Sequence, residues 1–266
     1  MNAQPANKAQ AYWERNLDPR NLGARRGPGR DLSREWAFYD SDEQRFAASR
    51  MPPLRGALCL EIGAGLGTHA LWLARQGARV AVLDFSAARL GAVMREAGRM
   101  GLGERVVAIQ AAAEALPFAA DRFDLVYTKS VLIHTRLPEA LGEARQVLKP
   151  GVGRAIFLEP QDRNPFAVLY RRLFAPKEWQ GITRYFDERS AAEVARAFPG
   201  AETRDFFLFG FLAFVWQFQW PILPLFRWSL IIARLIDRPL LMMAPALGKH
   251  AWFRVFVGEK RDPSSR

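Results

Sequence analysis

Three glycines and one aspartate form the pattern with the clearest chemical meaning. Gly63, Gly65 and Gly67 follow an apolar run in the sequence LEIGAGLGT, and Asp84 ends the next apolar run, RVAVLD. A glycine turn between a strand and a helix lets a cofactor lie against the backbone, where a side chain would collide. A carboxylate after the second strand can accept hydrogen bonds from both hydroxyls of a ribose. Close packing of a helix on a strand also selects glycine, so the turn alone leaves both explanations open.

The elements around this turn predict an α/β fold. Short apolar runs alternate with longer amphipathic ones between residues 57 and 160, which is typical of a parallel sheet flanked by helices. The predicted strands are, in order, 57–62, 79–84, 106–110, 123–128 and 154–160. Ser86 and Pro138 stand where helix-starting residues are expected. The glycine spacing, G-x-G-x-G, also differs from the G-x-G-x-x-G of a dinucleotide fingerprint.

Five motifs in order resemble one family. The runs LEIGAGLGT, VLDFS, AEALPF, FDLVYTKSVLIH and LKPG..RAIFLEP resemble the class I S-adenosylmethionine-dependent methyltransferases over about residues 55–160. The resemblance implies a Rossmann-like, doubly wound seven-stranded sheet with an antiparallel last strand, and S-adenosylmethionine as the cofactor. It assigns the cofactor to Glu61, Gly63, Ala64, Gly65 and Gly67 around the methionine part, Asp84 at the ribose, Phe85 at the adenine face, Ala113 and Glu114 at the adenine edge, and Thr128 and Lys129 beside the sulfonium. Ala112 departs from the family, which commonly has an acidic or amide residue there to bind the adenine amino group.

Methyl transfer from a sulfonium is an in-line displacement on an activated carbon, so positioning and water exclusion supply most of the acceleration. A base is needed only if the acceptor keeps its proton. His134, just past the fourth strand, is the candidate base because it titrates near neutral pH. A structural role in the following helix is the alternative. We predict no metal site, because one cysteine and three scattered histidines make a zinc site improbable.

The segment after the fifth strand supplies the candidate acceptor contacts. Residues 161–186 break the regular alternation and are interpreted as a lid over the strand ends. Within this lid Tyr170, Arg171, Arg172 and Tyr185 are the candidate substrate-binding residues, against the alternative that each is solvated or packed. Tyr12 and Trp13, in the polar N-terminal region, are candidates to close over the cofactor or to pack in the core.

The net charge of +11 raises nucleic acid or an anionic membrane as partners. Residues 206–266 alone carry eight basic and three acidic residues, together with nine of the 19 Phe and four of the eight Trp. A basic excess on the most apolar stretch is typical of a membrane-surface segment, so we expect no nucleic acid. The single cysteine, Cys59, and an N-terminus without an apolar signal region favour a reducing, cytoplasmic location.

The apolar tail is the most ambiguous segment. Residues 206–226 contain no charge, which reaches transmembrane length. Their start resembles the sixth strand, glutamines and prolines interrupt the rest, and the chain must return to form the seventh strand at WFRVFVGEK. We therefore divide the chain into an N-terminal helical cap (1–52), a methyltransferase core (53–209), an apolar basic insertion of two membrane-interface helices (210–250), and the last strand with its tail (251–266). A dimer interface, a cap over the active site and a transmembrane hairpin are the alternatives.

The leading hypothesis is an S-adenosylmethionine-dependent methyltransferase at the cytoplasmic membrane face. Its acceptor would be hydrophobic or lipid-linked, such as a prenylated quinol, a lipid headgroup or a lipid-linked glycan. The second hypothesis is a soluble natural-product or small-metabolite methyltransferase whose tail forms a pocket wall or a dimer contact. The third is a membrane-bound protein that binds S-adenosylmethionine without transferring its methyl group.

Overall fold

The strands form one seven-stranded sheet, seen in a computed structural model that describes Tyr12, residues 35–37 and residues 40–262. The strands are β1 (Leu58–Ile62), β2 (Arg79–Asp84), β3 (Val106–Gln110), β4 (Leu125–Lys129), β5 (Arg154–Pro160), β6 (Glu202–Phe206) and β7 (Phe253–Glu259). Their order is β3-β2-β1-β4-β5-β7-β6, and β7 runs antiparallel to both β5 and β6. This confirms the predicted Rossmann-like, doubly wound sheet with an antiparallel last strand.

Helices cover both faces of this sheet. They are α1 (Asp42–Arg50), α2 (Thr68–Arg75), α3 (Ala87–Arg99), α4 (Leu137–Val147), α5 (Pro165–Phe174), α6 (Glu188–Ala197), α7 (Val215–Phe218) and α8 (Leu223–Met243). Two apolar cores result, one on each face, and the central strands β1, β4 and β5 are buried on both sides. Burial on both sides explains why these strands appear in the sequence as nearly continuous apolar runs.

Local signals set the helix starts. The hydroxyl of Ser86 accepts a hydrogen bond from the backbone N–H of Arg89 at 3.4 Å, and Pro138 lies in the first turn of α4. Asn164 and Asp187 cap α5 and α6 in the same way. Such caps satisfy backbone donors that the first turn of a helix leaves unpaired. They fix where the loops at the carboxyl end of the sheet begin and end.

Two predicted strand positions are wrong. The fourth strand begins at Leu125, because Phe123 makes only an isolated bridge with Leu148. The sixth strand ends at Phe206, where the prediction begins it. Phe207 turns the chain with a φ of 69°. A 3-10 turn follows at Gly210–Phe214, with Phe209 at its start. A carboxylate distant in sequence holds that turn: Asp237 accepts the N–H groups of Phe209 and Gly210.

The rest of the tail is one long helix preceded by a short one. The 21 residues of α8 follow the single turn of α7, and Pro239 lies inside α8 without ending it. Among the residues that the structure describes, no helix combines the length and apolar character that a bilayer crossing requires. Of the predicted N-terminal cap, Trp13 and most residues before 40 lie outside the described residues.

Candidate functional site

The glycine turn lies at the carboxyl end of the sheet, between β1 and α2. All three glycines adopt left-handed backbone conformations, with φ of 85°, 48° and 73° at Gly63, Gly65 and Gly67. A Cβ at Gly63 would overlap Val131, and one at Gly67 would lie 2.8 Å from a methyl carbon of Val93. These two glycines therefore serve packing as well as backbone conformation.

Gly65 is different from its neighbours. A Cβ built on it meets no atom of the described residues within 4 Å. Packing within the protein therefore does not explain the glycine at this position. An open space against a left-handed backbone is what a cofactor needs to approach the chain closely. Of the two explanations that the sequence left open, packing therefore accounts for Gly63 and Gly67, whereas the space at Gly65 is open to a cofactor.

Asp84 holds this turn from the neighbouring strand. Its Oδ2 accepts the N–H of Ala64 at 3.0 Å and its Oδ1 accepts the N–H of Ser86 at 2.9 Å, while the N–H of Gly65 also stabilises the charged carboxylate. Burial raises the pKa of Asp84, and these N–H groups and the nearby Arg89 oppose that rise. A carboxylate has about four acceptor positions. Asp84 is therefore both the brace of the turn and a candidate acceptor for ribose hydroxyls.

The predicted adenine residues surround the end of β2 and the segment after β3. Phe85 is half-buried, and its carbonyl accepts a hydrogen bond from the Gln110 side chain at 3.0 Å. Ala113 is buried, whereas Glu114 is half-buried and accepts the N–H of Arg136 at 2.9 Å. The Glu114 carboxylate thus connects this segment to the loop after β4. These residues line the same edge of the sheet as Asp84.

A buried cluster of charged and polar side chains lies beside the turn. Glu61 Oε1 is 3.7 Å from His69 Nδ1, and burial raises the pKa of Glu61 to about 8. Lys129 Nζ is 3.1 Å from Glu43 Oε1, in α1. A pocket of about 200 Å³ opens between α1 and α2, with His69 and Tyr127 in its lining. The cluster therefore brings two predicted cofactor residues, Glu61 and Lys129, to one side of β1 and β4.

Thr128 faces the opposite side of β4 and reveals a residue that sequence reasoning missed. Its hydroxyl donates to Glu159 Oε1 at 3.1 Å, and the N–H groups of Val131 and Leu132 donate to the same oxygen. Burial raises the pKa of Glu159 to about 7. An acidic residue at the end of the buried run RAIFLE was the available sequence signal. Glu159 fixes the loop that carries His134.

His134 lies in the 3-10 turn Leu132–His134, next to the segment that precedes α6. Its Nδ1 is 3.0 Å from the carbonyl oxygen of Ile182. A carbonyl only accepts, so Nδ1 carries the proton and Nε2 has the lone pair. Burial lowers the pKa of His134, and Arg89 lowers it further. The histidine is therefore held neutral in one tautomer, a state suited to accepting a proton.

The predicted acceptor contacts fall into two groups. The Arg171 guanidinium carbon lies 3.5 Å from the centre of the Tyr185 ring, and Arg171 donates to the carbonyl of Gln161 at 3.0 Å. Tyr170 instead faces the tail, where its hydroxyl accepts a hydrogen bond from Gln219 at 3.1 Å. Arg172 is exposed. Arg171 and Tyr185 thus remain candidate acceptor residues, whereas Tyr170 connects the lid to the tail.

The residues present fit S-adenosylmethionine. Gly65 leaves open space against the backbone, and Glu61 Oε2 is buried without a hydrogen-bond partner among the described residues. An unpaired carboxyl oxygen in the interior is costly, and the raised pKa of Glu61 means that its ionisation is unfavourable unless a cation or donor comes to it. The ammonium group of the cofactor is such a donor. Across the described residues no group of His, Cys, Asp or Glu is arranged to hold a metal ion.

Known proteins resemble this chain over its central part. Residues 60–157 match the family model described as a methyltransferase domain. A ubiquinone/menaquinone biosynthesis C-methyltransferase of Paracoccus denitrificans is 43% identical over 115 residues, which is 41% of this chain and 44% of that protein. A demethylmenaquinone methyltransferase of Clavibacter sepedonicus is 39% identical over 174 residues, 60% of this chain and 66% of that protein. The chain thus spans about half the length of the curated relatives it matches.

Solved structures share the fold over nearly the whole chain. The geranyl diphosphate C-methyltransferase of Streptomyces coelicolor superposes with a TM-score of 0.62 at 12% identity, covering 97% of this chain and 98% of its own. At that identity the likeness shows the fold alone. The domain match, the related sequences and the shared sheet agree with the glycine turn and its acidic partner on β2. The chain therefore belongs to the class I S-adenosylmethionine-dependent methyltransferases.

Proposed function

We propose that this protein transfers a methyl group from S-adenosylmethionine to a hydrophobic or lipid-linked acceptor at the cytoplasmic face of the cell membrane. The observation that carries the proposal is the pairing, in one chain, of a turn open at Gly65 with an exposed apolar surface along α8. The four-part division made from the sequence, with an insertion at 210–250, is part of this proposal.

The cofactor supplies a methyl group already activated by its sulfonium, so the protein's task is to position and to exclude water. The turn and Asp84 would hold the cofactor, and the end of β4, with Thr128 and Lys129 on its two sides, would lie beside the sulfonium. Arg171 and Tyr185 would contact the acceptor. Where the acceptor keeps a proton, Nε2 of His134 would remove it, because burial keeps this histidine neutral.

Helix α8 supports the membrane part of the proposal. One line of its side chains is buried against the core: Phe226, Leu230, Ala233 and Asp237. A second line is exposed and apolar: Leu225, Trp228, Ile232, Leu235 and Met242, with exposures between 41% and 73%. Arginines lie to one side of that line at 227, 234 and 238. This three-sided arrangement is typical of a helix in the plane of a membrane interface.

The relatives narrow the acceptor class. The matched proteins are named for ubiquinone and menaquinone biosynthesis and for demethylmenaquinone. A prenylated quinol combines an aromatic ring with a long apolar chain, so it would partition into the membrane that α8 is proposed to contact. We therefore place a prenylated quinol first among the acceptors, ahead of a lipid headgroup or a lipid-linked glycan.

The test is methyl transfer from labelled S-adenosylmethionine to a total lipid extract. Label in the organic phase is the expected result. Asp84→Ala is the control, because it removes the brace of the glycine turn and the candidate ribose acceptor, and we expect it to abolish labelling. Label confined to water-soluble metabolites would support a soluble tailoring enzyme instead. Cofactor binding without any labelled product would support a protein that only binds the cofactor.

A further inference from the structure

The exposed apolar side chains of the described residues are concentrated in one part of the chain. Of the 18 large hydrophobic residues that are exposed there, all except Val107 and Val152 lie between 169 and 243. They include side chains of the lid helix α5 as well as those of α8. On α5 the exposed side chains are Leu169, Leu173 and Phe174, at 56%, 65% and 58%. A soluble monomer rarely exposes so many neighbouring apolar groups without a partner.

The apolar side chains of α5 continue into those of the tail. The Tyr170 ring packs against Phe174 and Phe218, with centroids 5.0 and 5.8 Å apart. Gln219 donates to the Tyr170 hydroxyl at 3.1 Å. Phe218 and Trp220, which follow on the tail, are 44% and 60% exposed. The lid and the tail therefore present one continuous apolar surface.

A buried asparagine fixes the start of α5 to the tail. The Asn164 side-chain amide donates to the carbonyls of Phe207, Leu208 and His250 at 2.9–3.1 Å. These carbonyls flank the segment that contains α8. Because Asn164 also caps α5, the lid helix is attached to the backbone at both ends of that segment. The orientation of α5 relative to α8 is thereby set within the fold.

The charges around this surface are mostly basic. Residues 162–178 contain four basic side chains and two acidic ones, Asp162 and Glu178, and Arg234 of α8 is ion-paired with Asp42 of α1. Residues 206–249 contain four basic residues and one acid, Asp237, which is buried and accepts two backbone N–H groups. A positive apolar surface complements anionic lipid headgroups above an apolar layer. A second copy of the same surface would bring like charges together, which disfavours a dimer.

We propose that the lid helix α5 and the tail helix α8 together form one docking face for an anionic phospholipid bilayer. This inference rests on the proposed function, and adds the lid to the part of the protein that contacts lipid. Docking through α5 would place the segment that carries Arg171 and Tyr185, the candidate acceptor contacts, next to the lipid surface. An acceptor in the bilayer would then reach the site beneath the lid without crossing water.

The test uses a site-specific reporter in the full-length chain. Cys59 is fully buried and burial raises its pKa to about 12, so an added surface cysteine is labelled selectively. The environment-sensitive dye NBD is attached to Leu173→Cys on α5, to Trp228→Cys on α8, and to Val152→Cys as the matched control. Leu173 and Val152 are exposed to the same degree, 65% and 63%. Vesicles of phosphatidylglycerol and phosphatidylcholine are then added, and vesicles of phosphatidylcholine alone serve as the comparison.

We expect a blue shift and a rise in emission at positions 173 and 228 with anionic vesicles, and no change at 152. In co-sedimentation, Leu173→Glu should weaken vesicle binding about tenfold, because a leucine side chain that becomes buried in the bilayer contributes roughly that factor to the affinity. Val152→Glu, which makes the same change of charge, should match the wild type. A shift at 228 without one at 173 would overturn the inference and leave the proposed membrane contact of α8 in place. No shift at either position would overturn both, and a concentration-dependent shift without lipid would point to a second copy instead.

Discussion

The clearest test of the site separates two glycines of one turn. Gly65→Ala and Gly67→Ala make the same chemical change two residues apart, both at left-handed φ. An added Cβ at Gly65 meets open space, whereas at Gly67 it lies 2.8 and 2.9 Å from the two methyl carbons of Val93. The first variant should therefore lose cofactor binding with a small loss of stability. The second should lose stability in the absence of any cofactor.

The magnitudes follow from the backbone and from packing. An alanine held in the left-handed region costs about 1–2 kcal/mol relative to glycine. Gly65→Ala should lower the free energy of unfolding by about that amount. Gly67→Ala adds overpacking against Val93, which costs about 1–3 kcal/mol more. The two variants should therefore differ by about 1–3 kcal/mol in the free energy of unfolding.

Two measurements decide between these expectations. Urea unfolding without ligand gives the free energy of unfolding, and calorimetric titration with S-adenosylhomocysteine gives the affinity. We expect Gly65→Ala to weaken binding by tenfold or more, roughly the effect of 1.4 kcal/mol, while remaining the more stable variant. Unchanged affinity in Gly65→Ala would refute the assignment of the open space to the cofactor. Equal stabilities would refute the claim that Gly67 serves packing.

Three further predictions concern buried groups. Burial raises the pKa of Glu61 from 4.5 to about 8, so its contribution to stability is present below pH 4.5 and is lost as pH rises through 8. Glu61→Gln should remove this loss. At pH 9 the free energy of unfolding of the variant, without cofactor, should exceed that of the wild type by several kcal/mol, since each pKa unit corresponds to about 1.4 kcal/mol. Equal melting temperatures of the variant and the wild type at pH 9 would contradict this. The pKa of His134 is lowered, so the rate of a methyl transfer that needs this base should fall only as pH drops below 6.5. His134→Gln should reduce the rate and flatten its pH profile. A variant rate within a few-fold of the wild-type rate would mean that His134 is structural. Phe226 is fully buried in α8, so Phe226→Ala should cost about 3–5 kcal/mol in urea unfolding, and a loss below about 1 kcal/mol would mean that α8 is not anchored in the core.

Much of the fold could be predicted because its signals are local. Buried parallel strands require apolar runs, left-handed turns require glycine, and helix starts require capping side chains such as Ser86. The predicted positions of β2, β3 and β5 are confirmed to the residue. The predicted bounds of β4 and β6 were wrong, because strand pairing and contacts with distant residues decide where these two strands begin and end. Phe123 is apolar but lacks a full strand partner, and the turn after Phe206 depends on Asp237, about 30 residues further along the chain.

In the candidate site, too, the local features could be predicted from the sequence and the long-range ones could not. The sequence by itself determined the methyltransferase motifs and the candidate acids, because glycine spacing and the residues at strand ends are local properties. Only the tertiary structure decided that Gly65, of the three glycines in the turn, is the one that faces open space. It also decided that Glu159 is buried beneath the His134 loop and that Tyr170 contacts the tail. It likewise decided that the start of α5 is bonded to the segments on either side of α8, through the hydrogen bonds of Asn164 to carbonyls more than 40 residues away. Burial and long-range contact arise when distant segments meet, so a one-dimensional pattern does not contain them.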